Sequence, residues 1–119
     1  MTISILYVDD DTDYHIIVSK FFEREADLSV AFCSTAHAAL EILEQESFDV
    51  IVSDYQMPVM DGISLLKEVR KRHERLPFIL FTGRGREEVV IEAINNGADY
   101  YLQKGGDPVS QFTDLIHKI

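Results

Sequence analysis

The chain has 119 residues, of which 46% are hydrophobic and 27% are charged, and its formal net charge is −10. This composition is typical of one soluble globular domain that is large enough to enclose a core. The acidic balance argues against non-specific binding to nucleic acid, and neither a membrane-spanning run nor a basic N-terminal signal region is present in the sequence.

Hydrophobic periodicity switches between strand-like and helix-like segments along the first half of the chain. Apolar residues at helical spacing predict a first helix from about Thr12 to Glu25; they are Tyr14, Ile17, Val18 and Phe21. This helix lies between two predicted strands, Ile3–Val8 and Leu28–Cys33. Ser34 or Thr35 can cap the second helix. Its predicted buried stripe consists of Ala36, Ala39, Leu40 and Leu43.

The second half of the chain continues the alternation. A β-branched run predicts the third strand over Asp49–Ser53, just before Asp54. Asp61 can cap the third helix. Its core-facing residues are Ile63, Leu66 and Val69. The next predicted elements are the strands Phe78–Phe81 and Tyr100–Gln103 and a fourth helix from about Glu87 to Asn96. Gly97 is a helix stop. The apolar face of a fifth helix is formed by Val109, Phe112, Leu115, Ile116 and Ile119.

Strands that alternate with helices at this spacing predict an α/β fold. We expect a single doubly wound, five-stranded parallel sheet flanked by five helices, as in flavodoxin-like proteins. The predicted strand order is 2-1-3-4-5, because this order makes the polar residues at the strand ends neighbours. No repeat or linker divides the sequence, so residues 1–119 are predicted to form one domain.

Acidic residues follow two of the predicted strands at their carboxyl ends, where parallel sheets bind ligands. In the predicted order, Asp9 and Asp10 face Asp54 across two adjacent strands. Carboxylates crowded in this way repel one another, and a hard divalent cation such as Mg²⁺ relieves the repulsion. The acidic run Asp9–Asp11 can equally be a simple cap of the first helix. Both interpretations stay open on these residues alone.

The fourth and fifth strands bring further polar groups to the same edge. Thr82 and Gly83 end the fourth strand, and Lys104 follows the fifth. Singly, each is an ordinary turn or surface residue. Together with the carboxylates, a hydroxyl and an ammonium can hold a phosphoryl group. Asp54 would then be the nucleophile that forms an acyl phosphate.

An ordered set of short motifs covers essentially the whole chain. It consists of Val8-Asp9-Asp10, Asp54 with Met57-Pro58 and Met60-Asp61-Gly62, Phe81-Thr82-Gly83, and the run from Gly97 to Lys104. This set resembles the receiver domain of two-component response regulators, the CheY-like family. The resemblance implies a signalling domain and not an enzyme, apart from catalysis of its own phosphorylation and dephosphorylation.

The resemblance also implies roles for individual residues. Asp54 would be the phosphorylation site, charged from a phosphohistidine on a sensor histidine kinase or a phosphotransfer protein. The implied Mg²⁺ ligands are Asp9, Asp10, Asp54 and the backbone carbonyl of Gln56. The implied phosphate-binding and switch residues are Thr82, Gly83, Lys104 and Tyr101. Gln56 and Arg84 would modulate the lifetime of the phosphoryl group.

The implied output leaves through the face of the fourth helix, fifth strand and fifth helix. It would reach a fused or separate output module, with no contact to nucleic acid or membrane by this domain. The family usually has a proline after the lysine, whereas Gly105-Gly106 follows Lys104 here. A cis bond at a non-proline residue costs about 3 kcal/mol, so we expect a glycine turn instead.

The one cysteine, Cys33, excludes an internal disulfide and fits a reducing, cytoplasmic environment. Because it ends a predicted strand, we expect a buried structural thiol. The histidines show no metal-site spacing, and we expect them at the surface; they are His15, His37, His73 and His117.

Two alternatives to a functional receiver stay open. A haloacid-dehalogenase-type phosphatase would use Asp9 as its nucleophile. Its second catalytic acid would then be Asp11, but the threonine of the motif is displaced in Asp9-Asp10-Asp11-Thr12, and the chain is short for a phosphatase with a substrate cap. A degenerate receiver would act only as a protein-binding module, against which the intact set of polar residues speaks. A flavin-binding protein is disfavoured, because its first loop must cradle a phosphate and this loop carries three acids.

Overall fold

A computed structural model of the protein describes residues 2–83 and 87–104. In these residues, five strands alternate with four helices. The strands are β1 (Ile3–Val8), β2 (Leu28–Cys33), β3 (Val50–Ser53), β4 (Phe78–Thr82) and β5 (Tyr100–Gln103). The helices are α1 (Thr12–Phe22), α2 (Ala36–Gln45), α3 (Gly62–Arg72) and α4 (Glu87–Asn95). The predicted fifth helix falls on residues outside this range.

The strands form one parallel sheet in the order β2-β1-β3-β4-β5, which confirms the predicted topology. Val8 at the end of β1 lies opposite Cys33 of β2 and Ser53 of β3. Thr82 at the end of β4 lies opposite Gln103 of β5. The carboxyl ends of all five strands therefore meet at one edge, where the polar residues of the sequence were expected.

Successive residues of a strand point to opposite faces of the sheet, so they belong to two hydrophobic clusters, one on each face. Leu6 and Val8 belong to the cluster that α2 and α3 cover, whereas Ile5 and Tyr7 belong to the cluster that α1 covers. Every residue of β3 and β4 is buried. Helices on both faces explain why these central strands are continuous apolar runs and not alternating ones.

The predicted helix starts are confirmed by side-chain caps. Thr35, and not Ser34, accepts a hydrogen bond from the Ala38 backbone N–H, and Asp61 accepts one from Ser64. Asp11 caps α1 in the same way. The predicted stripes of α2 and α3 are buried. Each cap satisfies a backbone donor that the helix itself leaves unpaired.

The end of α1 and its buried face differ from the prediction. The helix ends at Phe22 and not at Glu25, because the chain turns toward β2 with a hydrogen bond from the Glu25 backbone N–H to the Phe22 carbonyl. Val18 and Phe22 are the buried residues of the helix, whereas Ile17 is 39% exposed. The stripe that faces the sheet is therefore rotated relative to the predicted one.

Gly97 follows the end of α4, as predicted. The helix itself ends at Asn95, one residue before the expected Asn96. The φ of Gly97 is +97°, a conformation that favours glycine. The Ala98 backbone N–H bonds back to the Ala93 carbonyl, which closes the helix end. Arg70 of α3 donates to the Gly97 carbonyl at 2.7 Å.

None of the helices in residues 2–83 and 87–104 is long and apolar enough to span a membrane.

Candidate functional site

Backbone hydrogen bonds that continue one residue past the strands fix the positions of three charged residues. They run from Asp9 N to Cys33 O at 3.1 Å, from Asp54 N to Val8 O at 2.8 Å, and from Lys104 N to Thr82 O at 3.0 Å. Each residue is thereby held at its strand's carboxyl end beside the neighbouring strand. The sheet itself determines where these side chains begin.

The three carboxylates that the sequence singled out lie together. One oxygen from each of Asp9, Asp10 and Asp54 lies within 4.8 Å of the others. Asp9 is fully buried, Asp54 is half-buried and Asp10 is exposed. Asp10 and Asp54 line an open groove of about 820 Å³, whose lining also includes Gln56, Met57 and Gly83. Solvent therefore reaches the cluster through Asp10 and Asp54, while Asp9 lies beneath the surface.

Asp9 is held by contacts on both carboxylate oxygens. Its Oδ2 atom accepts hydrogen bonds from Lys104 Nζ at 2.6 Å and from the Tyr7 hydroxyl at 3.2 Å. Its Oδ1 atom accepts one from the Asp11 backbone N–H at 3.0 Å. Burial raises the pKa of Asp9, and the hydrogen bond from Lys104 opposes this effect. Burial and the adjacent Asp9 charge raise the pKa of Tyr7, so its hydroxyl stays a donor.

Lys104 supplies the positive charge in this cluster. Its ammonium lies 2.6 Å from Asp9 Oδ2 and 3.5 Å from Asp54 Oδ2. The side chain is only 10% exposed, and the ammonium lies 4.1 Å from the centre of the Tyr14 ring. Asp54 Oδ1 accepts a hydrogen bond from the Tyr55 backbone N–H at 2.8 Å. The other oxygen of Asp54, Oδ2, therefore faces Lys104, and the residue lines the groove.

Comparison with known proteins decides what this arrangement is. Residues 5–116 match the response regulator receiver domain family. The chain belongs to this family. Its receiver fold is similar to that of the chemotaxis response regulator CheY4 of Vibrio cholerae, with a TM-score of 0.86, 28% identity and full coverage of both chains.

Two curated relatives illustrate the proteins that contain similar receivers. The chain is 42% identical over 102 residues to the two-component response regulator ARR14 of Arabidopsis thaliana, covering 84% of this chain and 26% of that protein. It is 36% identical over 104 residues to the DNA-binding transcriptional regulator NtrC of Proteus hauseri, covering 87% of this chain and 22% of that protein. The receiver thus spans about a quarter of the length of each relative.

Members of this family are signalling domains of two-component systems with a phosphorylatable aspartate, and this receiver is one of them. It is not a conventional enzyme, and the family match disfavours the phosphatase alternative. Receiver domains bind Mg²⁺ at an acidic pocket, and the grouped oxygens of Asp9, Asp10 and Asp54 suit such an ion.

The other sequence-predicted residues of the receiver lie at different depths. Thr82 is fully buried at the end of β4, whereas Gly83 and Gln56 are exposed and line the groove. Tyr101 is half-buried opposite Leu80, away from the groove lining. Its hydroxyl is buried and has no hydrogen-bond partner among the described residues. Arg84 and the Gly105-Gly106 turn lie outside those residues.

Three residues that contact the site were not singled out in the sequence. The Tyr7 hydroxyl donates a hydrogen bond to Asp9, and the Tyr14 ring contacts the Lys104 ammonium. His15 Nε2 lies 2.6 Å from the Asp9 carbonyl oxygen. Because a carbonyl can only accept, this nitrogen carries the donated proton. For Tyr7 the available signal was its position two residues before Asp9, which directly follows β1, since side chains at this spacing on extended backbone share a face.

The surface position expected for the histidines is wrong for His15. Its ring is half-buried and lies 5.2 Å, centre to centre, from the ring of Phe32. His73 is also half-buried, His37 is exposed and His117 lies outside the described part of the chain. Cys33 is a free cysteine and is buried, as expected. Burial raises the pKa of this thiol to about 11.

Proposed function

We propose that Asp54 accepts a phosphoryl group from a phosphohistidine on a sensor histidine kinase or a phosphotransfer protein. The observation that carries the proposal is the convergence of the acidic cluster and the Lys104 ammonium on one half-buried aspartate. An acyl phosphate needs a nucleophilic oxygen, compensation for phosphoryl charge and access from solvent. This edge of the sheet offers all three.

The proposed transfer starts from Asp54 Oδ2, because Oδ1 is engaged by the Tyr55 backbone N–H. The Oδ2 atom attacks phosphorus, the bond between phosphorus and the donor's imidazole nitrogen breaks, and its electron pair stays on that nitrogen. Lys104 then binds a phosphoryl oxygen, and the buried hydroxyl of Thr82 and the backbone at Gly83 donate hydrogen bonds.

Asp9, Asp10, Asp54 and the backbone carbonyl of Gln56 would hold Mg²⁺. When bound, the ion supplies positive charge that offsets the charge of the phosphoryl oxygens. The ligand set is one of hard oxygens, which Mg²⁺ prefers. The exposed side chain of Gln56 lines the groove and, together with Arg84, modulates the lifetime of the acyl phosphate by controlling the approach of water.

The signal leaves through α4, β5 and the predicted last helix. Tyr101 packs against the cluster that contains Ala93 of α4, and its hydroxyl is unsatisfied among the described residues. Phosphorylation draws Thr82 toward the phosphoryl group, and Tyr101 moves into the space that Thr82 vacates. The change shifts the population of conformations at this face.

Residues 1–119 form one cytoplasmic receiver in this proposal, with an output module that is fused or separate. The domain itself binds neither nucleic acid nor membrane. Its only catalysis is its own phosphorylation and dephosphorylation.

The test of the proposal is incubation with acetyl phosphate and Mg²⁺, followed by measurement of intact mass. We expect one added phosphoryl group, which Asp54→Asn and omission of Mg²⁺ both prevent. Asp27→Asn, a change at an exposed aspartate outside the acidic cluster, is the matched control and should keep the label. Labelling that survives Asp54→Asn would assign the acceptor elsewhere. No labelling of the wild-type chain would favour a degenerate receiver.

A further inference from the structure

The ammonium of Lys104 contacts aromatic rings as well as carboxylates. It lies 4.1 Å from the centre of the Tyr14 ring and 5.8 Å from that of Phe81. Both distances are within the range of a cation–π interaction. The two rings also meet edge to face, with their centres 6.2 Å apart. Together they form an aromatic wall beside the lysine.

Tyr14 is fixed where it can act on the lysine. It lies in the first turn of α1, where its backbone N–H bonds to the carbonyl of the capping residue Asp11 at 3.1 Å. Its side chain is half-buried and lines the groove together with Asp54 and Lys104. The ring thus belongs to a rigid element and borders the proposed phosphoryl-binding space.

A lysine in an open groove is hard to hold in position. Its side chain has four rotatable carbons and a strongly hydrated ammonium, so water competes for it. Asp9 and Asp54 bind the ammonium here, but both carboxylates change partners when a cation or a phosphoryl group enters. The contact with the Tyr14 ring does not depend on these carboxylates, so it can persist when a cation or a phosphoryl group binds.

We infer that Tyr14 is a positioning residue, whose ring holds the Lys104 ammonium over the site where the phosphoryl group binds. This inference rests on the proposed function, because it assumes that Lys104 binds phosphoryl oxygen. Tyr14 itself does not touch the reacting atoms. Its effect is on the affinity for the phosphoryl group and not on the acidic cluster.

The experiment titrates beryllofluoride, a stand-in for the phosphoryl group, at saturating Mg²⁺ and follows it by ¹⁹F NMR. Tyr14→Leu should weaken beryllofluoride binding by about 2- to 30-fold, the range expected for one cation–π contact. Tyr14→Phe keeps the ring face and should restore most of the affinity. Tyr100→Leu, a change at an exposed tyrosine that lines a separate cavity, should leave it unchanged.

A separate Mg²⁺ titration distinguishes positioning from general damage to the site. Tyr14→Leu should leave Mg²⁺ affinity unchanged or raise it, because a loosened ammonium competes less for the carboxylates. Parallel loss of Mg²⁺ and beryllofluoride affinity would mean a structural role and overturn the inference. Equal losses in Tyr14→Leu and Tyr14→Phe, or no loss in either, would also overturn it.

A measurement on the wild-type chain needs no variant. The ring should shift the Lys104 Hε protons upfield relative to those of the exposed Lys67 in α3, and the absence of this shift would overturn the inference even if Tyr14→Leu fails to fold. Failure of the proposed function is a different result: the wild-type chain would then neither bind beryllofluoride nor accept a phosphoryl group at Asp54.

Discussion

At the scale of single residues, Asp9 connects distant parts of the chain. Its Oδ2 atom is shared by Tyr7, two residues away, and Lys104, 95 residues away. The charge of Asp9 is therefore neutralised only when β1 and β5 occupy the same sheet. Because burial raises the folded pKa of Asp9, its ionisation works against folding as pH rises through that pKa. The acidic site is a local source of instability.

The first prediction concerns repulsion within the cluster. Asp10→Asn removes one of three crowded carboxylates, and we expect it to stabilise the protein without Mg²⁺. In the wild-type chain, Mg²⁺ at about ten to a hundred times its Kd should add about 1–3 kcal/mol to the free energy of unfolding. The variant should lose most of this increment.

Thermal unfolding with and without Mg²⁺ measures both effects. Asp13→Asn, which changes a nearby α1 carboxylate outside the cluster, should retain the Mg²⁺ increment. A wild-type melting temperature that Mg²⁺ does not change would contradict the metal assignment.

The second prediction concerns the thiol of Cys33. Burial raises its pKa from 9.0 to about 11, so its thiolate fraction at pH 8 falls about a hundredfold. Alkylation by iodoacetamide should be slow in the folded protein, rise with pH up to about 11, and become fast in urea. The same shift means that stability falls as pH rises from 9 toward 11. Rapid alkylation of the folded protein at pH 8 would be incompatible with this environment.

At the scale of elements, the loop from β3 to α3 packs directly against the residue that we propose as acceptor. The Gly62 backbone N–H bonds to the Tyr55 carbonyl at 2.7 Å. A Cβ atom at Gly62 would overlap the Asp54 carbonyl oxygen and press on Leu80. The first residue of α3 therefore has to be glycine for the helix to start this close to the strand end.

The third prediction is that Gly62→Ala lowers the free energy of unfolding by about 1–3 kcal/mol and slows phosphorylation, because the loop must move away from Asp54. Gly83→Ala is the control for stability, since a Cβ there would meet only Lys104, with its Cβ at 3.4 Å and its carbonyl oxygen at 3.8 Å. Urea unfolding of both variants gives the comparison. Equal stability of the two would contradict the close packing at Gly62.

The elements that the sequence predicted well carry local signals. Continuous apolar runs identified the five strands, and the hydroxyl and carboxylate caps at Thr35 and Asp61 identified helix starts. Less was predictable where tertiary packing decides. The burial of Phe22 and the exposure of Ile17 depend on how α1 is rotated on the sheet. The contact of His15 with the Asp9 carbonyl depends on the same rotation.

Within the site, strand order decided what could be predicted. Because Asp9, Asp54 and Lys104 each follow a strand, the order 2-1-3-4-5 was enough to bring them together. The contact of Tyr14 with Lys104 depends on a side-chain direction that polarity and spacing do not encode. For Tyr7, only its two-residue spacing from Asp9 pointed to a shared face. Both residues look like ordinary core aromatics in the sequence.

At the scale of the whole molecule, the proposed signal must pass from Asp54, at the end of β3, across β4 to the proposed output face at α4 and β5. Tyr101 is suited to report it, because its ring packs in the cluster that α3 and α4 share while its hydroxyl lacks a partner in the described residues. Burial raises the pKa of Tyr101, with a smaller contribution from the charge of Asp54. The charge of Asp54 therefore acts on the hydroxyl of Tyr101, a residue of the proposed output face.

The fourth prediction is that beryllofluoride changes amide chemical shifts beyond the groove. We expect shifts at residues 90–94 of α4 and at Tyr101, because the proposed switch changes the populations of two conformations of this face. Two-dimensional NMR of the labelled chain with Mg²⁺ measures them. Shifts confined to the neighbours of Asp54 would exclude this face as the output surface.

The most direct test of the central claim is to locate the phosphoryl group itself. The chain is phosphorylated with Mg²⁺ and a phosphodonor, the acyl phosphate is reduced with borohydride to homoserine, and the peptides are sequenced by mass spectrometry. We predict homoserine at position 54 and unmodified aspartate at Asp9 and Asp10. Homoserine at position 9 or 10, with Asp54 unmodified, would contradict the account.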